Sequence, residues 1–286
     1  MLKKYILQVI LIVLVVSKTG YCQYYELPQT SAKDHVFKYS AYTVLYNTTT
    51  NTPRWVAWTF STNKRSNIKV ARSGNKFLPD PNLGSASPTH DTYTNSGYDR
   101  GHMCPANDCL WSGKALEESF YMSNICPQTA ELNRAKGRKG LGSPWRIVEE
   151  KCDGPWADHY KMLYIVAGPI PNEIRGTIPI EEGRSILVVE RGDTVRRGTI
   201  LIEEGRSILV PKRFFKAIVG VDKNGKYHGI GFIFTQECAV QIVSIDEVER
   251  QACLDLFYQI PQRIQNKIEK VSSFSESDWP DLSVIK

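Results

Sequence analysis

The sequence predicts an α+β fold with an antiparallel sheet at its centre. Three observations carry that expectation. Short β-like runs recur along the chain, helix-like stretches fall between them without strict alternation, and a helix-capping pattern follows the last run. Hydrophobic residues make up 42%, charged residues 23%, and Gly with Pro 35 of 286, which excludes collagen, coiled coil and wholesale disorder. The length allows one large domain or two ordinary ones.

Residues 1–22 open with Lys3 and Lys4, continue through the apolar run 5–16 and end in small and polar residues. That order is the signature of a secretory signal peptide, and twelve apolar residues are too few for a comfortable bilayer span. The expectation is an exported chain, periplasmic, secreted or on the outer surface, with no transmembrane domain once the leader is removed. Cys22 leaves open a lipid anchor, although Lys18-Thr19-Gly20-Tyr21 lacks the small and aliphatic residues such a site prefers. Residues 23–35 read as a linker before the folded domain, 36–270, and 271–286 as a tail.

Within the domain, the polar stretch 47–52 separates the β-like runs Val36–Tyr46 and Trp55–Phe60, which predicts a hairpin. Residues 61–98, punctuated by Pro79, Pro81, Pro88, Gly74, Gly84 and Gly97, read as a long loop, a length that points to function. Helix-like composition covers 109–122 and 145–160. Met162–Ala167 is a short buried strand closed by Gly168-Pro169, and further strands are expected at Phe214–Val221 and Gly229–Thr235. Ser244 and Glu247 form a capping box opening a helix through about Tyr258, and Pro261 can start another. Segments 176–188 and 198–210 match at 12 of 13 positions, a tandem duplication that most simply lengthens a hairpin at one sheet edge.

Removing the leader takes Lys3, Lys4 and Lys18 with it, so the net charge falls from +6 to +3. The distribution matters more: Arg134, Lys136, Arg138, Lys139 and Arg146 form a run without an acid, which attracts polyanions. Six cysteines remain after Cys22, a number compatible with disulfides in an exported chain; Cys238 with Cys253 is the single pairing proposed. His102, Cys104 and Cys109 offer three zinc-type ligands but no fourth.

The chemistry concentrates in 98–106 (YDRGHMCPA), 123–128 (SNICPQ) and Asn133. Histidine takes up a proton near neutral pH, arginine grips phosphate with two parallel hydrogen bonds, and a side-chain amide oxygen suits a hard cation such as Mg²⁺. Together they suffice for phosphodiester hydrolysis: one group deprotonates water, one neutralises the phosphoryl oxygens and one stabilises the departing oxygen.

In this ordered set, with Asp99-Arg100-Gly101-His102 intact, the chain resembles the DNA/RNA non-specific endonuclease family, the ββα-metal or His-Me finger nucleases. That family includes secreted bacterial sugar-nonspecific nucleases and mitochondrial endonuclease G. The likeness extends through 55–58, 96–108, 120–128, 132–133, 164–170, 210–219 and 244–249. The resemblance implies a ββα-metal core on a mixed, largely antiparallel sheet with flanking helices. By the same resemblance His102 would be the general base, Asn133 the direct ligand to one Mg²⁺, with Mn²⁺ able to substitute, and Glu149 a ligand through water. Arg100 and Arg72 would contact the scissile phosphate, Asn124 would help order the site, and the products of DNA and RNA cleavage would carry 5′-phosphates.

Two departures from the family pattern bear on these assignments. About eight extra residues within 135–144 precede Trp145, so Glu149 rather than Glu150 rests on the Trp145 register. Those residues hold Lys136 and Arg138, which with Arg134 would widen the contact with nucleic acid. The first copy of the duplication is the second insertion. Two rival readings leave different residues idle: a catalytically silent nucleic-acid-binding surface protein has no use for His102, and a structural or adhesive protein has none for 99–102.

Overall fold

The structure, a computed structural model, describes residues 24–72, 74–134, 142–171, 173–180 and 207–285. The leader with Cys22, and Lys136, Arg138 and Lys139 of the basic run, lie outside the described residues. Seven strands form one sheet: β1 (Val36–Lys38), β2 (Tyr42–Asn47), β3 (Thr52–Phe60), β6 (Met162–Pro169), β9 (Arg213–Val221), β10 (Tyr227–Thr235) and β11 (Val240–Val243), in that spatial order and antiparallel throughout. The run Val36–Tyr46 breaks at 39–41 into two strands that pair with each other. The polar stretch turns β2 into β3, with Asn51 in the left-handed region at φ 52°.

Both faces of this sheet are covered, so its central strands read as continuous apolar runs. Successive side chains point to opposite faces. Val56, Trp58 and Phe60 join the larger core with Phe214, Ile218, Phe232 and Phe234, whereas Trp55, Ala57, Phe215, Ala217 and Val219 form a second core. The larger core is closed by α4 (Pro144–Asp153) and α5 (Pro155–His159), the second by α6 (Ile245–Ala252) and α7 (Gln262–Ile268). The stretch expected as one helix over 145–160 is broken at Gly154, the residue between α4 and α5.

Half of the predicted capping box is present, Ser244 accepting from the Glu247 N–H at 3.1 Å, while the Glu247 carboxylate accepts from Arg250 and Gln251 instead; α6 stops at Ala252, where Cys253 adopts a left-handed conformation at φ 50°. The predicted Cys238–Cys253 disulfide is not formed. Cys238 lies in the β10–β11 turn and donates to the Glu131 carbonyl, while Cys253 ends α6 with its thiol on the Arg250 carbonyl; all six described cysteines are free thiols.

Two expectations about the periphery also change. The duplicated segments contribute β7 (Ile174–Pro179) and β8 (Ser207–Pro211), which pair with each other in a separate two-stranded sheet, not at an edge of the large one. Its inner residues Ile178, Ile208 and Val210 pack on Tyr93, Met122 and Ile125; residues 181–206 lie outside the described residues. Residues 271–285 are part of the domain, not a tail. Trp279, Leu282 and Ile285 are buried in the larger core, and the Trp156 indole donates to the Pro280 carbonyl at 2.9 Å.

On the larger-core side a second hairpin, β4 (Asp99–His102) with β5 (Ile125–Gln128), runs directly into the short helix α3 (Ala130–Asn133). This is a ββα unit, and it carries the residues singled out by chemistry. Between its strands lie α2 (Gly113–Ser119) and short 3₁₀ turns. The long loop 61–98 contains α1 (Thr62–Ser66), two further 3₁₀ turns and a bridge from Leu78 to Tyr121, which lays it across the ββα unit.

Candidate active site

Local sequence explains how the ββα unit is held. Thr129 caps α3, accepting from the Leu132 N–H, and its own N–H and hydroxyl bond the side chain and carbonyl of Gln236. The buried Gln236 amide also donates to the Pro127 and Pro211 carbonyls at 3.0 and 2.9 Å, so one side chain joins β5, α3 and β8. Ser143 caps α4 and donates to the Leu132 carbonyl, stitching α3 to α4 across the insertion. Gly101 sits against Gln128 so closely that a Cβ would fall 2.1 Å from its side-chain oxygen, which leaves glycine the residue that fits the middle of β4.

Asn124 lies behind the site. It is fully buried, its amide oxygen accepting from the Cys104 N–H at 2.9 Å and its nitrogen donating to the Cys104 and Ser119 carbonyls at 2.9 and 2.8 Å. These bonds fix the chain just beyond His102. Asn124→Ala would strand three buried backbone groups, and we expect a loss of about 3 kcal/mol of stability by urea unfolding; an unchanged midpoint would reject that role.

His102, Asn133, Glu149, Arg72, Arg100 and Arg134 line one cleft of about 330 Å³, with Arg146 and Phe77. His102 ends β4 and is 9% exposed, its ring 5.4 Å from Phe77 and 5.0 Å from Phe120. Its Nε2 is buried with no hydrogen-bond partner among the described residues. Burial, then the positive charges of Arg72 and Arg146, push its pKa down to about 3, so the imidazole is neutral at physiological pH.

Asn133 donates from its amide nitrogen to Asp99 at 3.0 Å, which turns its amide oxygen, the atom a hard cation would use, away from that acid. Arg134 grips both oxygens of the same Asp99 carboxylate. Asp99 therefore orients two neighbours, a role that its position in the motif did not reveal. Arg134, assigned to substrate from sequence, lines the cleft while committed to Asp99.

Arg100 donates to the His90 carbonyl and to Thr94 Oγ1, and Arg72 reaches in from the long loop, donating to Asn107 at 3.4 Å. Glu149 is buried on α4 and accepts from Arg146 at 3.1 Å and from Lys216 at 3.5 Å; Glu150 next to it is exposed and does not line the cleft. Lys216 is a site neighbour that the motifs do not announce. It is 1% exposed, and its ammonium lies 3.9 Å from the centre of the Trp145 ring. The zinc alternative has no counterpart among the described residues, where His102, Cys104 and Cys109 do not converge as a ligand group; the two thiols, 4.0 Å apart, belong to the larger core.

The arrangement can abstract a proton, hold an anion between arginines and present oxygen ligands to a cation. A family model described as DNA/RNA non-specific endonuclease matches residues 23–263. The mitochondrial nuclease EXOG of Danio rerio is 33% identical over 145 residues, 50% of this chain and 39% of that protein. A nuclease of Nostoc is 31% identical over 153 residues, 52% of each. The chain thus spans about half or less of the length of these curated relatives. Among solved structures, a complex described as showing the mechanism of EndoG inhibition by EndoGI contains a chain that superposes with a TM-score of 0.64 at 25% identity, over 84% of this chain and 91% of that one.

Proposed function

Because the chain belongs to the DNA/RNA non-specific endonuclease family, we propose that it is an exported, Mg²⁺-dependent endonuclease. It hydrolyses phosphodiester bonds of DNA and RNA with little regard to sequence, leaving 5′-phosphates. The observation that carries this reading is the shared cleft, where a neutral imidazole, an amide oxygen without a donor among the described residues and several arginines face one volume.

The residues present fit a hard divalent cation, since Asn133 offers its amide oxygen and Glu149 a carboxylate, with no thiol or second imidazole among the described residues of the cleft to favour a softer metal. Asn133 would hold the cation directly and Glu149 through water. The cation supplies charge neutralisation at the phosphoryl and departing oxygens. Arg72 and Arg100 hold the phosphate, and Asp99 keeps Asn133 in its rotamer.

His102 takes the proton of the attacking water at a ring nitrogen. Burial is the larger cause of its low basicity, and a phosphate anion between Arg72 and Arg146 would offset the smaller, electrostatic part. Contacts made to phosphate rather than to base edges account for indifference to sequence.

The decisive experiment incubates the protein with supercoiled plasmid, with and without EDTA. Metal-dependent nicking supports the proposal; binding without cutting would make the chain a silent nucleic-acid-binding protein. Lys136→Glu with Arg138→Glu is expected to weaken DNA affinity and to flatten the logarithmic salt dependence by about 2, roughly 0.9 for each phosphate that is no longer neutralised. An unchanged slope would place the insertion away from nucleic acid. Export is tested by expressing the chain with its leader in a bacterial host: recovery of a processed chain outside the cytoplasm supports it, and a full-length cytoplasmic chain overturns it.

A further inference from the structure

On the sheet face opposite the larger core, α6 and the end of α7 bring three acids together. Asp246 and Glu249 lie one turn apart on α6, Glu269 follows α7, and one carboxylate oxygen from each lies within 4.8 Å of the others. The backbone fixes this meeting, the Asp246 N–H donating to the Glu269 carbonyl at 3.0 Å. One Glu249 oxygen accepts from the Leu256 N–H at 2.7 Å, which stops that side chain from swinging away.

Glu269 is the decisive member. It is 7% exposed, and its Oε1 is buried with no hydrogen-bond partner among the described residues. A buried carboxylate oxygen without a donor forfeits its hydration, and crowding with like charges adds to the cost. Such a group calls for a proton or a cation.

We propose that Asp246, Glu249 and Glu269 form a second divalent-cation site, selective for Ca²⁺, which clamps α6 to the end of α7. An all-oxygen set with neither His nor Cys selects a hard ion. The pairwise bound of 4.8 Å lets all three oxygens reach one ion; Ca²⁺ accepts irregular geometry at about 2.3–2.6 Å, as three acids from a helix and a helix end would offer, whereas Mg²⁺ demands near-ideal octahedral order. Asp246 and Glu249 are only half-buried, which gives the ion a way in.

Burial and the neighbouring acids raise the Glu249 carboxyl to about 7 and the Glu269 carboxyl to about 8, with Asp255 adding to the repulsion and Lys270 slightly relieving it at Glu269. A shared proton is therefore the competitor that the experiment must separate.

Metal-stripped, full-length Asn133→Ala protein, with its cleft ligand removed, is titrated with CaCl₂ at pH 7.5 by calorimetry, and its thermal unfolding is followed by circular dichroism. The expected result is one Ca²⁺ per chain and a Tm higher by about 5 °C at roughly 100-fold excess over Kd. Glu269→Gln in the same background is expected to remove both, and so is the milder Asp246→Asn. Glu269→Gln alone should leave plasmid cleavage unchanged. No calcium response in Asn133→Ala, or a response that survives both acid substitutions, overturns the proposal. A Tm that moves with pH but not with calcium identifies the shared proton and overturns it too. The calcium titration and the Tm shift do not depend on cleavage, so their result is independent of the nuclease reading.

Discussion

Replacing His102 with alanine is expected to lower plasmid cleavage by about 10³-fold while leaving DNA affinity within a few-fold of the parent. The size follows from its place. Among the described residues His102 is the one imidazole lining the cleft and its Nε2 has no partner, and its ring packs against Phe77 and Phe120. Quantifying supercoiled plasmid loss beside a filter-binding assay checks both halves, and an equally active variant would reject the assignment.

The same residue sets a pH signature. Its folded pKa, near 3, lies below its ordinary value of 6.5, so the folded chain binds fewer protons there than the unfolded chain. The contribution to stability is present above pH 6.5 and is lost as the pH falls toward 3. The acid limb of kcat/KM, which reports the free enzyme, is accordingly expected below pH 5 rather than near 6.5.

The second large effect is expected at Lys216. Exchanging it for methionine keeps its volume but leaves Glu149 buried with Arg146 as its remaining ion-pair partner. Removing one partner of a buried pair typically costs about 3 kcal/mol or more, and we expect about 3 kcal/mol here by urea unfolding, with a raised requirement for divalent cation in cleavage. Adding Glu149→Gln should restore much of the stability, because no uncompensated carboxylate then remains, without restoring activity. A single variant as stable as the parent would mean that Arg146 alone neutralises Glu149.

Much of the fold and the site is legible in the sequence, and the reasons are physical. The strands of the large sheet announce themselves because both faces are buried, so 55–60, 162–167 and 214–221 are largely apolar. The ββα unit is legible through its chemistry, since His102, Asn124 and Asn133 are residue types with few structural reasons to recur in that order. Lys216 carries a signal too: a charge in the middle of 214–219 (FFKAIV) requires a buried counter-charge, although the sequence does not say which acid supplies it.

Other features carry weak signals. The early end of α6 depends on a left-handed Cys253, and no glycine marks it. The carboxyl-terminal segment reads as a tail because its polar composition hides the three-residue spacing of Trp279, Leu282 and Ile285. Cys238 and Cys253 do flank the β11–α6 junction, but flanking a junction does not bring two thiols together: Cys238 turns to the Glu131 carbonyl and Cys253 to the Arg250 carbonyl.

The seat of Trp279 between Trp156 and Tyr160 has a consequence for biosynthesis. A polypeptide made from its amino end produces His102 and Asn133 well over a hundred residues before Trp279, and the wall beneath α5 stays open until that indole has been added. The residues of the cleft are therefore translated long before the scaffold around them can be sealed.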